Sequence, residues 1–421
     1  MTLHKTSWFA SVPFTFAVAM ALGTSISAQD NALGRDDLSP HVFPFRLDAG
    51  VLEGPGAEVL LSNLADHHAL LLGEYHNSVQ ISLLTSALIP HLHANNYNVL
   101  ALEIGPAAAH TLSAIAQQAN DTDGLGQALA TLNRTYAVQT EDRTQVPVPF
   151  VSHAEDIPII SAASEREWNL IGIDQEFIYG FQLVIDGAAA KLESNDPRLI
   201  DIKALRNLID DVYAGDQTGR RQAAHRLHNS KEIQRLIESL ATGDDAIAEA
   251  VRGLRDSIQI YGLNASGDWW ESNGRRIDLM KRSLTAGLNE ASFDLGNDRL
   301  VLKAGSVHTG RGLSLLRHYE VGNTVSELME ANGQKSLHIV FAERFWESDD
   351  GVVDSLSTDR RYEVIRQFGQ VDQWTLIDLR PLKRSIFYDV LECEQFVKEW
   401  FLQHDVVLIP PADRSSSVVR E

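Results

Sequence analysis

Ala69-Leu70-Leu71-Leu72-Gly73-Glu74-Tyr75-His76 is an apolar run that breaks at a glycine into a carboxylate and an imidazole. The run has the length and character of a buried strand, and the glycine lets the backbone turn without a Cβ penalty. The same grammar returns in Leu300-Val301-Leu302-Lys303-Ala304-Gly305-Ser306-Val307-His308. Two further runs, Val99-Leu100-Ala101-Leu102 and Leu170-Ile171-Gly172-Ile173, deliver Glu103 and Asp174. Four strand ends thus carry groups that shuttle protons, bind metals or activate water. In open α/β sheets ligands bind beyond the carboxyl ends of the strands, so the pattern predicts an enzyme-like site on such an edge.

Helix signals alternate with these strands. Ile81, Leu84, Leu88 and Leu92 fall on one helical face, and Pro106 after Gly105 opens a second helix at a favoured first-turn position. The alternation predicts an α/β fold, a layered and mostly parallel sheet with helices on both faces. From about 181 to 290 the pattern changes. Leu205, Leu208, Ile209 and Val212 mark one helical face there, and Ile247, Val251, Leu254 and Ile258 another. β-Branched runs are scarce, which predicts an all-helical insertion capping the carboxyl edge of the sheet. Strand signals resume at 299–304, 337–342 and 374–378. Residues 29–60 read as a polar lead-in, and residues 411–421 as a flexible tail. One α/β domain over 29–410, with its insertion, accounts for the mature chain.

Composition narrows the function classes. Residues 1–28 have the form of a secretory signal: Lys5, a mostly apolar stretch over 8–22, then small residues ending at Ala28. This predicts export to the periplasm or the medium. No later stretch approaches the ~20 apolar residues of a membrane span, so no integral segment is expected after removal of the signal. The whole chain has a net charge of −21, and removing Lys5 with the signal takes it to −22. That balance argues against nucleic acid as a partner. Cys393 is the single cysteine, so no intramolecular disulfide can form. It lies between Glu392 and Glu394, which disfavour a nucleophilic thiolate.

Glu74 and His76 stand two residues apart, so an extended turn directs both side chains into one cavity. If the first two strands are neighbours, Glu103 joins them from about 5 Å away. His308, followed by Thr309-Gly310-Arg311-Gly312, completes a set of two imidazoles and two carboxylates. Glu74, His76, Glu103 and His308 suit a divalent ion such as Mn or Zn. Alternatively His76 acts directly as general base on water, oriented by Glu74 or Glu103. Arg311 can hold a carboxylate or phosphate in a bidentate fork, and Lys303 inside its apolar strand reads either as a buried partner for Glu103 or as a side chain that snorkels outward. Asp174 and Tyr75 complete the candidate substrate-binding set, although Asp174 can equally cap a helix. Arg275 or Arg276 is placed to reach down from the insertion. The pairs His67-His68, His91 with His93 and His225 with His228 read as solvated positions, and Trp269-Trp270 as helix-packing bulk.

Taken together, Gly73-Glu74-Tyr75-His76, Glu103 after an apolar strand and Gly305-Ser306-Val307-His308 resemble the erythromycin esterase-like/ChaN-like/Tiki superfamily. The resemblance runs over roughly residues 65–345 in motif order, with the helical insertion poorly matched. It implies an α/β sheet with the site at its carboxyl edge. Similarity to the esterases implies hydrolysis with His76 as the water-activating base. Similarity to Tiki-like members implies a metal-dependent site built on paired Gly-x-x-His motifs. Similarity to ChaN-like members implies haem binding without turnover, for which Tyr75 and the histidines are credible ligands. The combined expectation is an exported hydrolase acting on a small molecule or a peptide.

Overall fold

The computed structural model describes residues 31–119, 121–140, 144–214 and 219–419. The signal over residues 1–28 lies outside the described residues. Nine strands form one sheet: β1 (Val42–Asp48), β2 (Val51–Glu53), β3 (Ala69–Glu74), β4 (Tyr97–Leu102), β5 (Asn169–Gly172), β6 (Arg299–Gly305), β7 (Ser336–Phe341), β8 (Trp374–Asp378) and β9 (Val406–Ile409). Their spatial order is β2-β1-β8-β9-β7-β3-β6-β4-β5. The six strands from β9 to β5 run parallel, and β8, β1 and β2 extend the sheet antiparallel at one side. The expected α/β class with a mostly parallel sheet is what the chain adopts.

Two expectations change here. Residues 29–60 are not only a lead-in, because β1 and β2 build one margin of the sheet and Pro55 already opens a helix. In addition, β3 and β4 are not neighbours, since β6 lies between them with Leu72, Lys303 and Leu102 in register. The third strand arrives some 200 residues later and separates the two carboxylates.

Helices of eight or more residues are α1 (Pro55–Asp66), α2 (Val79–Ala94), α3 (Pro106–Gln118), α4 (Thr122–Tyr136), α5 (Ile157–Ser164), α6 (Phe181–Ala189), α7 (Arg198–Ala214), α8 (Arg220–Asn229), α9 (Lys231–Leu240), α10 (Ala246–Ser266), α11 (Trp269–Glu290), α12 (Val321–Ala331) and α13 (Gln395–Gln403). Local chemistry sets their starts. Ser78 accepts from the Ile81 N–H at the head of α2, and Asp121 caps α4 through Gly124.

Because strand side chains alternate, the sheet has two apolar faces. Leu70, Leu72, Leu100 and Val301 pack with α1 to α5 on one face. Leu71, Ala101, Ile171 and Leu302 meet Met280, Leu284 and Leu288 of α11 and Val325 of α12 on the other. Helices α6 to α10 own a separate core that includes Leu205, Ile209, Leu236 and Leu254. Helix α11, expected inside the insertion, therefore also covers the sheet; Met280, Leu284 and Leu288, at steps of four, give it that stripe. Residues 411–419, expected as a flexible tail, are instead docked, with Asp413 fully buried and Val419 N–H bonded to the Ser152 carbonyl. Among the described residues no helix is long and apolar enough to cross a membrane.

Candidate active site

Glu74 is the last residue of β3, and His76 lies two residues on. The backbone places the His76 Nδ1 3.0 Å from Glu74 Oε1. A carboxylate only accepts, so Nδ1 carries the proton and Nε2 is left as the basic nitrogen. The other Glu74 oxygen, Oε2, lies 2.5 Å from the Lys303 ammonium. Lys303, inside β6, and Glu74, at the end of β3, are both buried. The buried partner of Lys303 is thus Glu74 rather than Glu103, because Lys303 and Glu74 belong to adjacent strands and share a face.

His308 follows β6 in a short turn, and its Nδ1 is 2.8 Å from Glu320 Oε2. Glu320 is held in turn by the Ser314 hydroxyl at 2.7 Å. Two imidazoles are therefore each fixed by a carboxylate at Nδ1. Their Nε2 atoms face the same third carboxylate: His76 lies 3.7 Å from Glu103 Oε2, and His308 lies 3.6 Å from Glu103 Oε1. Both gaps exceed a hydrogen bond. Glu103 is anchored elsewhere, accepting from the Gly305 N–H at 2.6 Å and from Arg276 at 2.6 Å. Gly305 has to be small here, since a Cβ would stand 3.1 Å from His76 Nε2 and 3.3 Å from Glu103 Oε2.

Electrostatics follow from these contacts. Burial opposes charge on Glu103, yet His308, Arg276 and His76 together hold its carboxyl well below the usual range. Burial likewise raises Glu74, but Lys303 and His76 outweigh it and bring its carboxyl down. Burial lowers the His76 imidazole, while the Glu74 hydrogen bond and the Glu103 charge leave it above its ordinary value. The side chain of His76 is 30 % exposed and that of His308 only 6 %. His76 is the imidazole that solvent reaches.

Other expected residues fall on both sides of this centre. Asp174 belongs to it, gripped by Arg276 through Nε at 2.8 Å and Nη2 at 2.6 Å. Of the two arginines, Arg276 reaches in, whereas Arg275 pairs with Glu271 on the surface. Arg311 does not join the centre. Its guanidinium is spent on Asp405 at 2.8 Å, the Ser336 carbonyl at 2.6 Å and Ser326 at 3.1 Å, so it has no free fork for a substrate. Tyr75 turns away and donates to Asp413 at 2.6 Å. His67 is buried against the Asn63 carbonyl rather than solvated. Trp269 and Trp270 are exposed rather than packed, with Trp270 against His318 at 4.2 Å.

Two contributors carried no sequence signal. Glu320 is an isolated acid at a helix start. Phe150 lies in a proline-containing loop, and its ring stacks on His76 with centroids 3.9 Å apart at 17°. A crevice of about 1350 Å³ opens beside the edge strand β5 between α3, α10 and α11, and Asp174 is the centre's contact with it.

The donor set does not fit a divalent ion. Glu74 is paired with Lys303, and Glu103 and Asp174 share Arg276, so each of these carboxylates already has a cationic partner. Among the described residues no group of three or more His, Cys, Asp or Glu side chains has the geometry to hold a metal. Tyr75 does not fit a haem-iron ligand either, because burial and the adjacent Asp413 push its hydroxyl well above the ordinary range and oppose a phenolate.

Fold and centre together define a three-layer α/β protein with two carboxylate-fixed histidines at the carboxyl edge of its sheet. Such a fold is shared with solved structures. A histidine-to-asparagine variant of the erythromycin esterase EreC in its open conformation superposes with a TM-score of 0.55 at 15% identity, covering 90% of this chain and 99% of that one. A succinoglycan biosynthesis protein gives 0.53 at 13% identity, covering 94% and 100%. A Bacillus cereus protein gives 0.52 at 14% identity, covering 91% and 98%. No family model matches the chain, and no curated protein matches it in sequence.

Proposed function

We propose that the chain is a metal-independent hydrolase of ester-type bonds, in which His76 is the general base on water. The observation that carries this is the convergence of two carboxylate-fixed imidazoles on Glu103. Glu74 fixes the ring and stabilises the imidazolium that forms when Nε2 takes a proton from water. The new hydroxide oxygen bonds to the ester carbonyl carbon, and charge develops on the carbonyl oxygen. His308, oriented by Glu320, donates from Nε2 in its imidazolium form to that oxygen or to the departing alkoxide as the C–O bond breaks. Glu103 lies between the rings, and its charge favours the cationic form of His76. The crevice that reaches Asp174 has room for the body of a bulky small molecule. The likeness in fold to an erythromycin esterase supports the same class of chemistry. Export to the periplasm or medium belongs to the proposal, through the signal pattern over residues 1–28.

The test is a panel of chromogenic esters and lactones offered to the purified protein. His76→Ala should reduce kcat/KM by roughly 10²–10⁴-fold, and dialysis against a chelator should leave the parent rate unchanged. Full activity in His76→Ala, or a rate that returns only with added divalent ion, overturns the proposal.

A further inference from the structure

Residues 413–419 run across the carboxyl edge and tie together the two loops that define the surroundings of His76. Asp413 is fully buried. One of its oxygens accepts from the hydroxyls of Tyr75 and Ser78, the other from the Gln80 N–H at 3.1 Å and the Arg414 N–H. The backbone continues the tie: Val79 N–H bonds to the Arg414 carbonyl and Ser416 N–H to the Asn77 carbonyl. Asn77 adopts φ +64°, a left-handed conformation that asparagine accepts more readily than most residues. One residue in this turn, His76, is the proposed base.

The other loop carries Phe150. Its backbone also stands at φ +66°, which a bulky residue adopts only when its surroundings impose it. Beyond it, Ala154 N–H bonds to the Ser417 carbonyl and Val419 N–H to the Ser152 carbonyl. Asn133 of α4 then secures the Val419 carbonyl at 2.9 Å. At its start the segment is fixed to residues 345 and 347 by paired backbone bonds through Asp413. One short stretch of chain thus bonds to the turn that carries His76 on one side and to the loop just beyond Phe150 on the other.

We infer that residues 413–419 act as a positioning strap, with Asp413 as the residue that sets the His76 imidazole against Glu74 and Phe150. Asp413 touches neither the ring nor Glu103, so its action passes through the turn at residues 75–80. The kinetic consequence rests on the hydrolase reading; the structural consequence does not.

The experiment records the His76 ring-proton resonances in full-length protein carrying Asp413→Ala. Stacking on Phe150 displaces these resonances upfield in the parent, and the displacement should shrink by about half in the variant. With a good ester, kcat should fall about tenfold while KM changes less than about twofold. Resonances that coincide with those of the parent in a folded variant overturn the inference. Should Asp413→Ala fail to fold, Tyr75→Phe, which deletes one hydroxyl donor, decides in the same way. A parent that hydrolyses nothing defeats the hydrolase reading alone and leaves the resonance comparison decisive.

Discussion

At the scale of the residue, the Lys303–Glu74 pair shows how strand packing and chemistry are joined. An ammonium and a carboxylate in neighbouring buried strands stay charged because they meet, and the same carboxylate then orients His76. The net contribution of such a pair is small, since desolvation offsets most of the attraction, but one partner left alone is expensive. Lys303→Met should therefore lower unfolding free energy by about 3–5 kcal/mol. The double variant Lys303→Met/Glu74→Gln should recover most of that loss, and under the proposed hydrolase mechanism it should be inactive, because Gln holds the imidazole without stabilising its cation. Urea denaturation of the parent, Lys303→Met, Glu74→Gln and the double variant measures the coupling; additive losses would mean that the two side chains do not depend on one another.

At the scale of the element, β3 has a glycine one residue before its end because nothing larger fits there. A Cβ on Gly73 would stand 2.3 Å from Thr309 Oγ1 and 3.1 Å from both the Ile339 carbonyl and the Ser306 Cα, so backbone as well as a hydroxyl would have to move. Gly73→Ala is expected to cost about 1–3 kcal/mol, as overpacking does. Gly253→Ala, inside α10 with nothing within 4 Å of the new methyl, should instead stabilise by roughly 0.5–1 kcal/mol. Thermal melts that rank the two the other way would refute this account of the strand end. Elements were legible where burial on both faces leaves an apolar run, as in β3, β4, β5, β6 and β7. Strand β1 was hidden because Pro44 interrupts it and charged Arg46 and Asp48 follow, features that belong to a margin of the sheet. Strand order was not legible, because hydrophobic pattern reports burial and not which neighbour supplies it. That is why β6 between β3 and β4 came as a change, and why Lys303 met Glu74. In the centre, Glu74, His76, Glu103 and His308 announced themselves by following strands. Glu320 and Phe150 did not, since loops bring them in by geometry alone.

At the scale of the whole molecule, buried titratable groups make stability depend on pH in two opposing ways. Glu176, buried behind Asp174 and accepting from the Ala107 N–H at the start of α3, is pushed up to about 7 by burial. A carboxyl whose folded value is raised contributes its stability below the unfolded value near 4.5 and loses it as pH rises through 7. Glu176→Gln keeps a neutral acceptor at every pH. It should match the parent near pH 4 and exceed it by about 3 kcal/mol at pH 8, because each tenfold change in proton affinity is worth about 1.4 kcal/mol. His404 has the opposite sign. Burial pushes its imidazole down to about 4, outweighing the Trp400 backbone and the Asp405 charge, which act the other way. A histidine held neutral in the fold is fully tolerated above the unfolded value of 6.5 and penalised as pH falls from there towards 4. His404→Leu should equal or exceed the parent at pH 7, and the gap should widen by about 3 kcal/mol at pH 4. Urea titrations of the parent and both variants from pH 4 to 8 give the curves. The two gaps should open at opposite ends of the range, and gaps that stay constant with pH would mean that these groups carry no linkage between protonation and folding.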